Sequence, residues 1–219
     1  MTDAARQRTN MVESQILTSD VTDRRILQAM GSLPRERFVP AAWADLAYMD
    51  EAVPLSAAGR MLMAPRVFAK LLQLAEIGDG NRVLDVGCGS GYSTAVLAKI
   101  AKSVVGLESD ARLAEEARLN AAALGLANAA IVEGALPGGA ASDGPYDAIV
   151  LEGSIAIVPE ALLDELKDGG RLVAVVRGEG GLGKATIWRR LGRSHDQWTA
   201  FDAAAPKLPG FEPVLAFTF

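Results

Sequence analysis

An apolar run that ends in three closely spaced glycines is the feature that most constrains the fold of this chain. Residues 83–91 read Val-Leu-Asp-Val-Gly-Cys-Gly-Ser-Gly, and the segment from Tyr92 to Ala101 that follows has helical periodicity. Glycine lets a backbone turn sharply and approach a ligand that a Cβ would hold away. The stretch therefore predicts a buried strand, a ligand-binding turn and a helix, in that order.

The same alternation of strand and helix continues toward the C-terminus. It predicts an α/β domain with a mostly parallel sheet that is covered on both faces. The predicted strands are Arg82–Val86, Ser103–Leu107, Ala129–Val132, Asp147–Leu151, Arg171–Val176, Ala185–Arg190 and Val214–Phe219, and the later helices are Asp110–Leu124 and Pro159–Lys167. No helical pattern separates the last two strands, so we expect an antiparallel hairpin at one edge of the sheet.

The segment before the first strand predicts an N-terminal helical extension. Its first 45 or so residues indicate two helices, the second capped by Asp20 or Thr22. A structured loop over Asp50–Pro65 and a helix over Pro65–Ala75 follow. We therefore expect a single domain over 1–219, with a helical and loop region at 1–76 and an α/β core at 77–219.

Composition excludes several classes of protein. The chain has 219 residues, of which 50% are hydrophobic and 22% charged, so it can form one large core and is not a disordered protein. A net charge of −5 argues against a nucleic-acid partner. Cys88 and His195 are the only cysteine and the only histidine, so we expect neither a disulfide nor a metal site. The N-terminus is polar, and no apolar run could span a bilayer, so the sequence predicts a cytoplasmic protein with no membrane partner.

The glycine spacing distinguishes between nucleotide ligands. Gly87, Gly89 and Gly91 follow G-x-G-x-G, whereas a dinucleotide site has G-x-G-x-x-G. A pyrophosphate needs helix N–H groups directed at it, but S-adenosylmethionine (AdoMet) carries an amino acid and no phosphate. Glu108 ends the next predicted strand, where a carboxylate can accept both ribose hydroxyls of an adenosine. The turn and its acid together favour AdoMet, with NAD(P) as the weaker alternative.

Two residues that could suggest chemistry are better explained as structural. Cys88 lies between two glycines, and we expect its small side chain to pack below the turn. A nucleophilic thiol would need a nearby base, and no motif surrounds the distant His195. His195 itself lies in a polar segment that predicts an exposed turn without a catalytic role.

Over nearly its whole length the chain resembles the protein-L-isoaspartate O-methyltransferase family. The N-terminal blocks are the specific part of this resemblance, because many methyltransferases share the glycine motif. The matching blocks are 11–16, 22–30, 34–35, 38–40, 50–55, 83–92, 145–149 and 169–173. The resemblance implies the Rossmann-like class I fold, with a mostly parallel seven-stranded sheet. It also implies a protein-repair enzyme that uses AdoMet to methylate the carboxylate of isoaspartyl residues in damaged proteins.

The resemblance also implies where the sites lie. The acceptor would sit over the loop 54–65, beside Glu152–Ser154. No residue is assigned a catalytic role, and the candidates on the acceptor side are Arg60, Met63 and Glu152. The residues implied for cofactor binding are Asp85, Gly87, Cys88, Gly89, Gly91, Glu108, Glu133 and Ala135.

Three segments depart from the family pattern. Residues 61–65 read Met-Leu-Met-Ala-Pro where the family has Thr-Ile-Ser-Gln-Pro, so Met63 replaces a hydroxyl that orients the acceptor. Ala135 stands where an aspartate helps to hold adenine. Loss of that hydrogen bond weakens AdoMet binding by ~1.5–3 kcal/mol, and Glu133 could partly substitute. Residues 152–154 read Glu-Gly-Ser instead of Thr-Ala-Ala, and Arg60 could hold the acceptor carboxylate by pairing with it.

These departures leave two alternatives open beside isoaspartyl repair. Met61, Leu62 and Met63 could make an apolar mouth, which would suit a hydrophobic small molecule or another protein group; their other interpretation is anchoring of the loop in the core. Simultaneous loss of the serine and aspartate positions could instead mark an AdoMet-binding or cofactor-free interaction protein that kept the fold without turnover.

Overall fold

The N-terminal region is helical, and its second helix begins at a different cap from the one expected. The computed structural model describes residues 3–178 and 181–212. Helix α1 (Asp3–Asn10) continues into a π-helical turn, and α2 spans Arg24–Ser32. The cap of α2 is Asp23, whose carboxylate accepts the N–H of Arg25 at 2.9 Å. Neither Asp20 nor Thr22 caps it, because Asp20 adopts a left-handed conformation at the end of the preceding turn.

The predicted loop before the core is a small hairpin followed by a helix. Strands β1 (Val53–Pro54) and β2 (Met61–Leu62) pair antiparallel, and we call the segment 53–62 the loop hairpin. Helix α3 (Pro65–Ala75) begins with a proline at its first turn, where the missing N–H costs nothing.

In the described part of the chain, seven further strands form one sheet. They are β3 (Arg82–Val86), β4 (Ser103–Glu108), β5 (Ala129–Glu133), β6 (Tyr146–Ile155), β7 (Leu166–Val176), β8 (Lys184–Leu191) and β9 (Ser194–Asp202). Their order in the sheet is β5-β4-β3-β6-β7-β8-β9. The first five in this order are parallel, and β8 and β9 continue antiparallel at one edge. The intervening helices are α4 (Tyr92–Ala98), α5 (Ala111–Ala123) and α6 (Glu160–Asp164). The mostly parallel sheet with an antiparallel C-terminal hairpin confirms the predicted fold class.

The faces of β3 explain how the sheet is covered on both sides. Val83 packs into the core formed with the N-terminal helices, whereas Leu84 and Val86 pack into the core on the opposite face. Strand β3 lies between β4 and β6, so the strand order reverses on either side of it. In open α/β sheets ligands bind at the carboxyl ends of the strands beside such a reversal. The fold thus directs attention to the turn after Val86.

Several predicted boundaries were wrong toward the C-terminus. Strand β6 runs to Ile155, so residues 152–154 lie inside it, at a register shift, and not after it. Helix α6 ends at Asp164, and Leu166 already belongs to β7. The hairpin partner of β8 is β9, and His195 lies in β9 rather than in an exposed turn. The expected strand Val214–Phe219 falls outside the described residues.

The helices of the molecule are short. The 13 residues of α5 are fewer than the roughly 20 that a bilayer-spanning helix needs. Within residues 3–178 and 181–212, no helix combines the length and the apolar character that crossing a membrane requires.

Candidate active site

The glycine turn lies at the carboxyl end of β3 and requires glycine at each of its three positions. Gly87, Gly89 and Gly91 have φ angles of +82°, +57° and +94°, which side chains rarely allow. The N–H groups of Gly87 and Cys88 both donate to the carbonyl of Leu107, at 2.8 and 3.2 Å. The turn is therefore fixed against the end of β4.

Glu108, the last residue of β4, has its carboxylate fixed against this turn. One oxygen, Oε2, accepts the N–H of Gly89 at 2.7 Å. The other, Oε1, accepts the N–H groups of Ser109 at 2.8 Å and Asp110 at 3.1 Å. The side chain is fully buried. The acid thus stands beside the glycines, as the sequence predicts for a residue that holds a ribose.

Arg60, at the far end of the loop hairpin, pairs with this carboxylate. Its Nη2 lies 2.8 Å from Oε2 of Glu108, and its Nε lies 3.2 Å from Oε1. Nη2 also donates to the carbonyl of Gly87 at 2.9 Å. Burial alone would raise the pKa of Glu108, but Arg60 and the backbone N–H groups outweigh this and hold the pKa below its usual value. In this structure Arg60 therefore contacts Glu108 and not an acceptor site.

The space above the glycines is filled by side chains of the protein. A Cβ built on Gly87 would lie 2.7 Å from Cδ2 of Leu208 and 3.1 Å from Nη2 of Arg60. A Cβ built on Gly89 would lie 2.6 Å from Cδ1 of Leu55. We call the space bounded by these two glycines and Glu108 the cradle. Its glycines and its acid suit AdoMet, and in this conformation three side chains of the protein itself lie against them.

Asp85 and Cys88 lie behind the turn and not in the cradle. Oδ2 of Asp85 accepts the hydroxyls of Ser93 at 2.7 Å and Thr94 at 2.6 Å, which ties the end of β3 to the start of α4. Cys88 is buried, and burial raises the pKa of its thiol. Its Sγ would lie 3.2 Å from a Cβ on Gly106, which places it against the sheet, below the turn. Both residues support the turn from behind.

Glu152 forms a buried acidic pair with Asp85. Burial, together with the charge of Asp85, raises the pKa of Glu152 well above its usual value, against the opposing charges of Arg60 and Arg35. Burial likewise raises the pKa of Asp85 to about 7, although the hydroxyls of Ser93 and Thr94 oppose this. Among the described residues, Oε1 of Glu152 and Oδ1 of Asp85 have no hydrogen-bond partner. Burial thus makes both carboxyls of this pair bind their protons more tightly than exposed carboxyls do.

Arg35 is a second buried arginine, which sequence reasoning did not single out as a site residue. Its Nε donates to the carbonyl of Ala47, and its Nη2 to the carbonyl of Met63, both at 2.6 Å. Its guanidinium lies over the ring of Tyr92, 4.7 Å from the centroid. Arg35 thus binds the N-terminal region to the end of the loop hairpin.

The remaining candidates are distributed around the cradle. Leu62 and Met63 are buried in the core, whereas Met61 borders a cavity of about 480 Å³. Glu133 is opposite Glu108 in the sheet register but is exposed, as is Ala135. The structure thus brings together the glycine turn, Glu108 and Arg60, and places Glu133 beside Glu108 on the neighbouring strand.

Two residues that fill the cradle were also missed. Leu55 ends a block that resembles the family, and Leu208 follows an alanine-rich stretch without periodicity. An isolated leucine in a loop carries no signal that it faces a ligand site. Only the tertiary fold brings both to the glycine turn.

Comparisons with known sequences and structures agree with this geometry. Residues 6–192 match the profile of the family described as protein-L-isoaspartate(D-aspartate) O-methyltransferase. A protein-L-isoaspartate O-methyltransferase of Methylorubrum populi is 42% identical over 190 residues, which cover 87% of this chain and 88% of the relative. That of Methylorubrum extorquens is 38% identical over 200 residues, which cover 91% and 86%.

Two solved structures share the fold. One, a protein-L-isoaspartate O-methyltransferase, has a TM-score of 0.81 at 24% identity, over 93% of this chain and 66% of that one. The other, from Plasmodium falciparum, is described as a putative member of the same class in complex with S-adenosyl-L-homocysteine. It has a TM-score of 0.76 at 21% identity, over 95% of this chain and 99% of that one. The structures thus confirm the fold, and the profile match together with the sequence relatives confirms the family that the sequence resembles.

Proposed function

Since the chain belongs to the protein-L-isoaspartate(D-aspartate) O-methyltransferase family, we propose that it methylates the carboxylate of isoaspartyl residues in damaged proteins, with AdoMet as methyl donor. The observation that carries this proposal is the turn of three left-handed glycines beside the buried acid Glu108. When bound, AdoMet supplies an electrophilic methyl group. The glycines would admit the cofactor, and Glu108 would hold its ribose hydroxyls.

The acceptor needs little acid–base help from the protein. An unperturbed side-chain carboxyl has a pKa of about 4, so it is already ionised at neutral pH and needs no general base. The protein's task is to place one carboxylate oxygen near the donor and to keep it there. We propose that the loop hairpin and the segment 152–154 border the acceptor, as the family resemblance implies.

The structure gives no support to the apolar mouth that would suit a hydrophobic acceptor. Leu62 and Met63 are packed in the core, and Met63 is held through its carbonyl by Arg35. Of the three, Met61 borders a cavity. Anchoring of the loop therefore explains these apolar residues better than contact with an apolar substrate.

Transfer of a labelled methyl group tests the proposed function. The purified protein is incubated with methyl-labelled AdoMet and a peptide that contains one isoaspartyl residue, at AdoMet concentrations raised until incorporation saturates. The matched control is the same peptide with an ordinary aspartyl residue at that position. We expect label in the isoaspartyl peptide only. Saturating binding of AdoMet without any incorporation would contradict the proposal and favour a binding protein that has lost turnover.

Two further properties are proposed on the sequence alone. We propose a cytoplasmic location, and the net charge of −5 supports a protein or peptide partner over a nucleic acid. Fractionation of cells and a binding assay with nucleic acid would test them.

A further inference from the structure

The carboxylate that would hold a ribose is already fully engaged. A carboxylate offers about four lone-pair sites. The two oxygens of Glu108 accept three backbone N–H groups and two N–H groups of Arg60. Both oxygens contact Arg60, so a ribose diol can reach them only if the guanidinium leaves. The site thus contains its own competitor for the ribose.

Two of the three side chains that fill the cradle, those of Leu55 and Arg60, are linked to each other through the backbone. Leu55 and Arg60 belong to the same hairpin, and the N–H of Leu55 donates to the carbonyl of Arg60 at 2.8 Å. One movement of this hairpin would withdraw both side chains together. Leu208 comes from a separate segment, which is held by a 2.9 Å hydrogen bond from its N–H to the carbonyl of Ser154.

Empty space lies beside the two leucines. Leu55 borders a cavity of about 300 Å³, together with Phe38 and Arg112. Leu208 borders another, of about 380 Å³, together with Phe211. Each side chain therefore has room to move without displacing the core. The cradle is closed but has space on both sides into which it can open.

We propose that Arg60 is a latch, and that AdoMet binds only when the ion pair between Arg60 and Glu108 opens. This inference rests on the proposed function, and it adds a regulation of the same site. If the open form is a minor fraction of the protein, the apparent Kd for AdoMet is the intrinsic Kd divided by that fraction. Removal of Arg60 should abolish that penalty, because Glu108 keeps its three backbone donors and remains in place.

Calorimetric titration with AdoMet tests the latch directly. We expect Arg60→Ala to bind AdoMet at least tenfold more tightly than the parent, which corresponds to about 1.4 kcal/mol. The matched control is Arg66→Ala, which removes an arginine that pairs with Asp50 outside the cradle. The control should leave the Kd within twofold of the parent value. Glu108→Ala should bind less tightly than Arg60→Ala, because it removes both the latch partner and the ribose acceptor.

A second variant and a second readout protect the test against misfolding. Circular dichroism establishes whether Arg60→Ala is folded, and Arg60→Gln, which keeps more of the side chain, replaces it if it is not. Thermal melting at a fixed AdoMet concentration should then show a larger rise in Tm for the Arg60 variant than for the parent. Equal or weaker AdoMet binding in a folded Arg60 variant would overturn the latch, and so would the absence of binding in every variant.

The isoaspartyl peptide assay on the same preparations separates this inference from the proposed function. Tighter AdoMet binding by Arg60→Ala, without methylation by either protein, would support the latch and contradict the function. Methylation by both the parent and Arg60→Ala, with the same Kd for AdoMet, would contradict the latch and support the function.

Discussion

Two buried arginines mark two regions of the molecule that differ in what holds their charge. Arg35, between the N-terminal region and the loop hairpin, donates to the backbone carbonyls of Ala47 and Met63. Arg60, at the cradle, pairs with the carboxylate of Glu108. Both are nearly inaccessible to solvent. Arg35 is thus bound by backbone carbonyls of the fold, and Arg60 by a carboxylate that a ligand would use.

This difference teaches how to distinguish a structural charge from a functional one. The carbonyls that hold Arg35 belong to the backbone of the fold. Burial lowers the pKa of the Arg35 guanidinium, which shows that burying this charge is costly. The connection that Arg35 makes between two segments offsets that cost. The carboxylate that holds Arg60 stands at the carboxyl end of the sheet, beside glycines that form a ligand turn. Arg35 is therefore a permanent link, whereas Arg60 is a contact that a ligand could replace.

The largest expected effect tests this contrast through stability. Arg35→Ala should lower the free energy of unfolding by roughly 3 kcal/mol or more, because each hydrogen bond from a charged group contributes about 1.5–3 kcal/mol. Arg60→Ala should cost less, because Glu108 keeps its three backbone donors and can take up a proton once its charged partner is gone. Urea denaturation of both variants measures the difference.

The exposed Arg37, two residues from Arg35, provides the control for this pair. Arg37→Ala should change the free energy of unfolding by no more than about 0.5 kcal/mol. Equal losses for Arg35→Ala and Arg60→Ala would remove the distinction between a permanent link and a latch.

The second prediction concerns Glu152, whose charge is influenced by both arginines and by Asp85. A carboxyl with a higher pKa in the folded than in the unfolded state contributes stability that is complete below the unfolded value, 4.5 for Glu152, and lost as the pH rises through the folded value. The parent should therefore lose stability as the pH rises above about 4.5. The Glu152→Gln variant should lose less stability over the same range. The two losses in the free energy of unfolding should differ by roughly 1.4 kcal/mol for each unit by which folding raises the pKa of Glu152.

Urea denaturation at pH 5 and pH 8 measures this difference in slope. Glu160→Gln makes the same chemical change at an exposed position and should follow the parent. A Glu152→Gln profile that is parallel to that of the parent would show that folding does not raise the pKa of Glu152.

The glycine turn and its acid could be predicted from sequence because their signals are local. The spacing of Gly87, Gly89 and Gly91 follows from backbone angles that other residues rarely adopt. Glu108 could be placed because a residue that ends the adjacent parallel strand must lie beside the turn. The parallel sheet could be predicted from the alternation of strands and helices, since the helices of such an alternation cover both faces of the sheet.

The contents of the cradle could not be predicted, because they depend on contacts distant in sequence. Arg60 lies 48 positions from Glu108, and an arginine in a loop of this composition also suits a solvated surface or an acceptor site. The predicted strand boundaries near the C-terminus were wrong for a related reason. Residues 152–154 continue β6 through a register shift, and the edge strand β9 is mostly exposed, so it lacks the apolar run by which a strand is recognised.

The smallest expected effect tests whether the loop hairpin moves as a unit. Nη2 of Arg112, on α5, donates to the carbonyl of Leu55 at 3.0 Å and ties the hairpin to the helix. Arg112→Ala should favour the open cradle slightly and tighten AdoMet binding by about two- to threefold, or about 0.5 kcal/mol, the lower end for one hydrogen bond. Arg118→Ala on the same helix removes only a surface pair with Glu115 and should leave the Kd unchanged. If calorimetry gave the same Kd for Arg112→Ala and the parent while Arg60→Ala bound more tightly, the guanidinium would open alone and the hairpin would stay in place.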